Sequence, residues 1–300
     1  MFQVVKGAVS VFCAGILAVA ALACGALAGP IKVDFVFVVD ESDNFDNVGA
    51  SLVRTFSVFS SILADEGIDA QYALIGFGDG DVDPRLLTDL TTASGFELAA
   101  GGLTSDSGSI EPGYAAIASA VNALSEQTFT VSLRPEAFTN IVLFTNEPSN
   151  GDDAYSQFGS NPSLNATILA SLLSDVGGVS VDAFLSDFGS VGFPTSQSYA
   201  PLLGLELNGD VAMLPQDVFV GGPEFADAQM ALLLENYACD TAQEYFDLVA
   251  PDLPDQTFGP ACTPDAVSVD EPGALGLVGF ALMVMSAAYG RRRRFSVQVR

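Results

Sequence analysis

The chain has 300 residues, with ten bases against 37 acids for a formal net charge of −27, and it contains neither histidine nor tryptophan. Lack of histidine excludes Ser-His-Asp triads, imidazole acid–base catalysis and His-ligated zinc in one step. All 37 acids lie between Asp34 and Glu271, and from Gly29 to Gly290 Lys32, Arg54, Arg85 and Arg134 are the only bases, so this region stands at −33; such a surface repels nucleic acid and anionic lipid, attracts cations and suits salty surroundings.

Residues 1–28 carry one charge at Lys6, a long apolar run over 8–22 and small residues ending in Ala26-Leu27-Ala28. This is the pattern of a secretory signal peptide with an A-x-A cleavage site. A cut before Cys24 is the alternative, and it would make a lipoprotein. Either way the remainder is exported, and about 220 residues are left to fold.

From Lys32 onward strand-like and helix-like stretches alternate. Residues 33–39 form an apolar run broken only by Asp34, as a buried central strand requires. Val48, Leu52, Phe56, Phe59 and Leu63 recur at helical spacing, and 70–77 reads as a second strand ending in Gly76-Phe77-Gly78-Asp79-Gly80. Residues 114–124 predict a short helix with an Ala-rich face, 140–145 (NIVLFT) a strand, 164–173 a helix, 179–185 a strand and 224–237 a last helix. The alternation predicts an α/β domain over 31–238, a doubly wound, mostly parallel sheet flanked by helices. The Pro-rich, acidic residues 239–269 predict a stalk. Export leaves Cys239 and Cys262 in an oxidising compartment where they can close a disulfide; the alternative is two buried free thiols. Asn165-Ala166-Thr167 spells an N-glycosylation triplet, read here as incidental. The acidic stretch 79–83 reads as a solvated turn, being too short for an EF-hand.

In an open α/β sheet, ligands bind beyond the carboxyl ends of the strands near the point where strand order reverses. Just past the first strand stands Asp40-Glu41-Ser42-Asp43-Asn44, whose alternate members Asp40, Ser42 and Asn44 offer carboxylate, hydroxyl and amide oxygens suited to a hard cation. This VFVVDESDN block, followed in order by YALIGFGDG, AAGGLTSDSGSIEPGYAAI and NIVLFTNEPSN, resembles the von Willebrand factor A (vWA) domain over residues 31–237. The resemblance implies a metal-ion-dependent adhesion site holding Mg²⁺, or Mn²⁺ or Ca²⁺. It places Asp40 and Ser42 as first-loop ligands, with Asn44 where a second Ser is usual. The second-loop ligand is Glu111 or, alternatively, Thr104; Glu111 is preferred because Glu111-Pro112-Gly113 leads straight into the Ala-rich helix. In the third loop Asn146 stands where the family carries an Asp, with Glu147 beside it.

At the other end, the apolar run 274–289 follows Glu271-Pro272 and precedes Arg291, Arg292, Arg293 and Arg294. Arginines beyond a span fix that end in the cytoplasm and leave the acidic domain outside. The order of Glu-Pro motif, transmembrane helix and Arg cluster over 270–300 resembles the PEP-CTERM sorting signal of Gram-negative bacteria. Asp270 replaces its first Pro, and residues 295–300 extend past the cluster. This resemblance implies exosortase as a processing partner, and passage from an inner-membrane-anchored intermediate to the cell surface or biofilm matrix. The two resemblances together imply a binding or adhesion module for a protein or matrix ligand rather than an enzyme. The alternatives are a structural matrix component with a metal-free site, and a metal-dependent hydrolase using Asp40 and Glu111.

Overall fold

A computed structural model describes residues 30–42, 46–78, 83–104, 110–185, 195–199, 202, 211–213, 223–249 and 262. The signal peptide, Asn44 and the sorting signal with Glu271, Pro272 and Arg291–Arg294 lie outside these. The chain divides into two units, 1–259 and 260–300, and of the second only Cys262 is described.

Strands β1 (Ile31–Asp40), β2 (Ile68–Phe77), β3 (Arg85–Thr91), β4 (Phe138–Thr145), β5 (Val179–Leu185) and β6 (Val211–Met213) form one sheet in the order β3-β2-β1-β4-β5-β6. All pairings are parallel except β2 with β3. β1 lies between β2, in register from Ile31 opposite Ile68 to Asp40 opposite Phe77, and β4, from Val33 opposite Phe138 to Val39 opposite Phe144. Strand order reverses between β1 and β4, so their carboxyl ends frame the crevice where a doubly wound sheet takes its ligand. The expected architecture is therefore the observed one, with one antiparallel edge strand added.

Among the described residues the α-helices are α1 (Asp46–Asp65), α2 (Ala93–Ala100), α3 (Gly113–Ala120), α4 (Pro162–Val176), α5 (Thr195–Tyr199) and α6 (Pro223–Val249). α1 buries the predicted stripe of Val48, Leu52, Phe56, Phe59 and Leu63. With Phe35 and Phe37 of β1 and Phe96 of α2 these make an aromatic layer in which Phe56 and Phe96 stack at 4.0 Å and Phe37 and Phe56 meet edge-on at 5.5 Å. The other layer is aliphatic. There Val36 and Val38 share a core with Ile141, Leu143, Leu169 and Leu173. All eight residues of α3 are buried, which its small side chains permit because they let the helix backbone lie close to its neighbours.

A buried charge on β1 is neutralised at the opposite end of the sheet. Arg134 reaches Asp34 with its Nε and its backbone N–H, both at 2.6 Å, and gives further hydrogen bonds to the carbonyls of Val33 and Asp69. Pairing of this kind makes a carboxylate tolerable inside a strand.

Five elements differ from the sequence reading. β3, α2, α5 and β6 were not anticipated: β3 is a half-buried edge strand whose Arg85-Leu86-Leu87-Thr88-Asp89 does not alternate, α2 is a short helix interrupted by Gly95, and α5 and β6 are only five and three residues long. α6 continues past Tyr237 to Val249, so the expected stalk does not begin at 239. Its buried stripe is carried on by Ala238, Thr241, Ala242 and Tyr245, residues too small or too polar to stand out as an apolar period. Cys239 is disulfide-bonded, and so is Cys262. Asn165 is buried, and its amide both gives to and takes from the backbone of Gly159, so the glycosylation triplet serves as a loop clamp. Among the described residues the one helical window apolar enough to cross a membrane is Val48–Asp65, which is half buried and faces the aromatic core.

Candidate metal centre

The register sets Asp40, at the end of β1, next to Thr145, at the end of β4. The Thr145 hydroxyl donates to Asp40 Oδ2 at 2.7 Å and the Ser42 N–H donates to Asp40 Oδ1 at 2.9 Å. The second bond folds the first loop back on itself and brings Ser42 beside the carboxylate. Thr145 also accepts from the N–H of Glu147 at 3.2 Å, joining the third loop to the same point. Nothing in the sequence marks Thr145 apart from its place as the last residue of a strand.

Gly78, at the end of β2, has a positive φ of 88°, and a side-chain carbon built there would meet Asp40 Oδ1 at 3.0 Å, Glu111 Cγ at 3.3 Å and Ser42 N at 3.6 Å. The first loop and Glu111 of the second therefore converge on one small space, which only a glycine leaves open.

Among the described residues, Ser42 Oγ and both carboxylate oxygens of Glu111 are buried at this space with no hydrogen bond of good geometry, although Ser42 and Glu147 stand close enough to shift the Glu111 carboxyl; Asn146 Oδ1, one residue past Thr145, is a buried orphan too. Buried oxygens are normally satisfied, and carboxylate and hydroxyl oxygens gathered in this way are of the kind a hard cation takes as ligands. Burial raises Asp40 to about 6 despite the bonds from Thr145 and Ser42. Burial, then the charge of Asp40 and the neighbouring Glu147 carboxyl, raises Glu111 to about 9. Crowded acids with raised pKa values are what a site for a hard cation shows before the cation neutralises them. Asp40, Ser42 and Glu111 could hold such an ion, with Asn146 the neighbouring third-loop candidate, and Glu147 acts on Asp40 through its charge and on Glu111 through a side-chain hydrogen bond and its charge. Among the described residues no three Asp, Glu, His or Cys side chains form a ligand cluster.

Thr104, the alternative second-loop ligand, is engaged elsewhere. Its hydroxyl and N–H both reach the buried carboxylate of Glu41, at 3.2 and 2.7 Å, and Arg85 bonds to the same hydroxyl at 3.1 Å. Arg85 holds Glu41 in a two-pronged ion pair at 2.9 and 2.5 Å. A cleft of about 310 Å³ opens beside Asp40 between the end of β1 and α1, with Val53, Leu103 and Thr104 in its wall.

The third loop is fastened from two sides. Thr195 of α5 donates to the carbonyl of Asn146 at 2.9 Å. Ser149 and Asp152 bond to the amino end of α3, and burial raises Asp152 to about 6. These fastenings were not visible in sequence, because each joins residues dozens of positions apart.

No family model matches the chain, and no curated protein matches it. Solved structures that resemble it include the VWA domain of SpRpn10, at 16% identity and a TM-score of 0.44, covering 67% of this chain and 94% of that one. Proximal thread matrix protein 1 from the mussel byssus matches at 13% identity and 0.42, covering 67% and 49%. The pilus adhesin SpaC of Lactobacillus rhamnosus GG, in its open conformation, matches at 14% and 0.48, covering 73% and 31%. At such values the likeness carries no functional argument, and the fold rests on strand order and register.

Proposed function

We propose that the folded region is an exported, surface-displayed binding module of the vWA type, which recognises a protein or matrix ligand through a divalent cation. The observation that carries this reading is the convergence of the buried Ser42 and Glu111, whose side-chain oxygens have no hydrogen bond of good geometry, on the Asp40 carboxylate at the switch point of the sheet. Asp40, Ser42, Glu111 and Asn146 would hold Mg²⁺, or Mn²⁺ or Ca²⁺, with Asn44 and Glu147 as further oxygen donors. When bound, the ion supplies a coordination position that a carboxylate of the partner can take.

The chain's own residues do the rest. Thr145 and the Ser42 N–H fix both oxygens of Asp40, so its direction is set before any ion arrives. Burial of Asp40, Ser42 and Glu111 lowers the local dielectric and so strengthens their attraction for a cation. The charge at −33 discourages anionic polymers and nucleic acid and raises the local concentration of cations.

The N-terminal signal peptide and the PEP-CTERM-like tail support display through a membrane-anchored intermediate, with exosortase as the processing partner. Mature protein that still carries Arg291–Arg294 would contradict processing. A pull-down from the extracellular matrix of the parent cell, with the full chain as bait, tests location, partner and metal together. Partner capture should disappear with EDTA and return with excess Mg²⁺; capture unchanged by EDTA overturns the metal bridge.

A second reading, a structural matrix component with a metal-free site, is favoured by Asn146 at the third-loop position and by the lack of a three-acid cluster among the described residues. It predicts neither binding heat nor thermal stabilisation with any of the three cations.

A further inference from the structure

Ser42 and Glu147 stand beside the Glu111 carboxylate but neither of its oxygens is fixed by a hydrogen bond of good geometry, so its placement leans on its backbone, and that backbone is held from the third loop. The Glu111 N–H donates to Asn150 Oδ1 at 3.2 Å, and the Asn150 N–H donates to the Glu111 carbonyl at 2.8 Å. One residue on, Pro112 stands at the N-cap of α3 and provides no side-chain cap. A helix start leaves N–H groups that need acceptors. Here they find them across space: the Tyr114 N–H donates to Ser149 Oγ and the Ala115 N–H to Asp152 Oδ1, both at 2.9 Å. The Ser149 hydroxyl donates in turn to Asp152 Oδ2 at 2.6 Å, and both side chains are buried. Asp152 also places negative charge at the positive end of the helix.

We propose that Ser149 and Asp152 act as a cap supplied from a distant loop, positioning Glu111 so that the second and third loops move as one body and the site prefers a small cation to a large one. The proposal rests on the metal reading above. Mg²⁺ demands short, nearly octahedral contacts, whereas Ca²⁺ accepts longer and irregular ones. A Glu111 that drifts therefore costs the smaller ion more. Ser149 and Asp152 are positioning residues, since they act on the ion only through Glu111.

The test is the ratio of Mg²⁺ to Ca²⁺ dissociation constants, measured by calorimetry on the full chain. The variants are Ser149→Ala, Asp152→Ala, the conservative Ser149→Thr and, as a packing control, Leu169→Ala on α4. Both loop alanine variants should weaken Mg²⁺ by about tenfold or more, the usual cost of losing an outer-shell support, and weaken Ca²⁺ distinctly less. Ser149→Thr should keep the wild-type ratio, and Leu169→Ala should lower the melting temperature without moving it. In metal-free protein, amide exchange over residues 111–115 should accelerate in Ser149→Ala, the milder change if Asp152→Ala fails to fold. A wild-type chain that binds both ions, with a ratio that Ser149→Ala does not move or that Leu169→Ala moves equally, overturns this proposal alone. A wild-type chain that binds neither ion overturns the metal reading and this proposal with it.

Discussion

At the scale of the residue, two acids whose pKa values burial has raised meet in one small space. Asp40 rises from 3.8 to about 6 and Glu111 from 4.5 to about 9. Both groups hold protons in the folded protein at pH values where the unfolded chain has released them, so folding stability falls as pH climbs through this window. Metal-free protein should melt at a higher temperature at pH 5 than at pH 8, with a difference on the order of a few kcal/mol. Saturating Mg²⁺ should narrow that gap, because a bound cation favours the ionised acids. Glu111→Gln should narrow it without metal, since the amide has no proton to lose. Thermal melts at the two pH values check all three, and equal melting temperatures for metal-free wild type would contradict the raised pKa values. Gly76 makes a different demand, because a side-chain carbon there would lie 1.9 Å from Glu41 Oε2. That oxygen is gripped by Arg85 and cannot swing away. Gly76→Ala should therefore cost about 2–4 kcal/mol in urea unfolding, through strain and a disturbed buried ion pair. Asp40, Ser42 and Glu111 were legible in sequence from their places at the ends of a strand and before a helix. Thr145, Ser149, Asn150 and Asp152 were not, since a hydroxyl or amide declares its role only when the fold shows which distant N–H or carboxylate it meets.

At the scale of the element, the aromatic layer under α1 and the polar seam under α6 hold one face of the sheet. Phe56 touches Phe37, Phe59, Tyr72 and Phe96 with ring centroids 4.0 to 5.7 Å apart. Phe56→Ala should cost about 3–5 kcal/mol of unfolding free energy by chemical denaturation. A loss under 1 kcal/mol would mean that α1 does not pack as described. α6 is fastened by Tyr237, whose hydroxyl reaches Asp182 at 2.6 Å and Asn140 at 3.1 Å, and by Asp227, which pairs with Arg54 and Ser51 of α1. Tyr237→Phe removes a donor from a buried carboxylate and should cost about 1–3 kcal/mol. The central strands were readable because strands covered on both faces are continuous apolar runs. α6 beyond Tyr237 was not, because its inward stripe is made of alanine, threonine and tyrosine, which carry little periodic signal against Asp240, Glu244 and Asp247.

At the scale of the whole molecule, four bases face 37 acids between Gly29 and Gly290, and self-repulsion works against the compact state. Raising NaCl from about 10 to about 150 mM shortens the screening length from about 30 to about 8 Å, so the melting temperature should rise with salt. Mg²⁺ at matched ionic strength should raise it further, and that excess should vanish in Glu111→Ala, which separates a site from a diffuse ion cloud. A melting temperature indifferent to NaCl would show that the acids are too dispersed to repel. The proposed cation site at the end of β1 is tested most directly by calorimetric titration of the full chain with Mg²⁺ beside Glu111→Ala. One saturable site in the wild type, absent from the variant, is the predicted result. No binding heat in the wild type, or the same heat in both proteins, would contradict it.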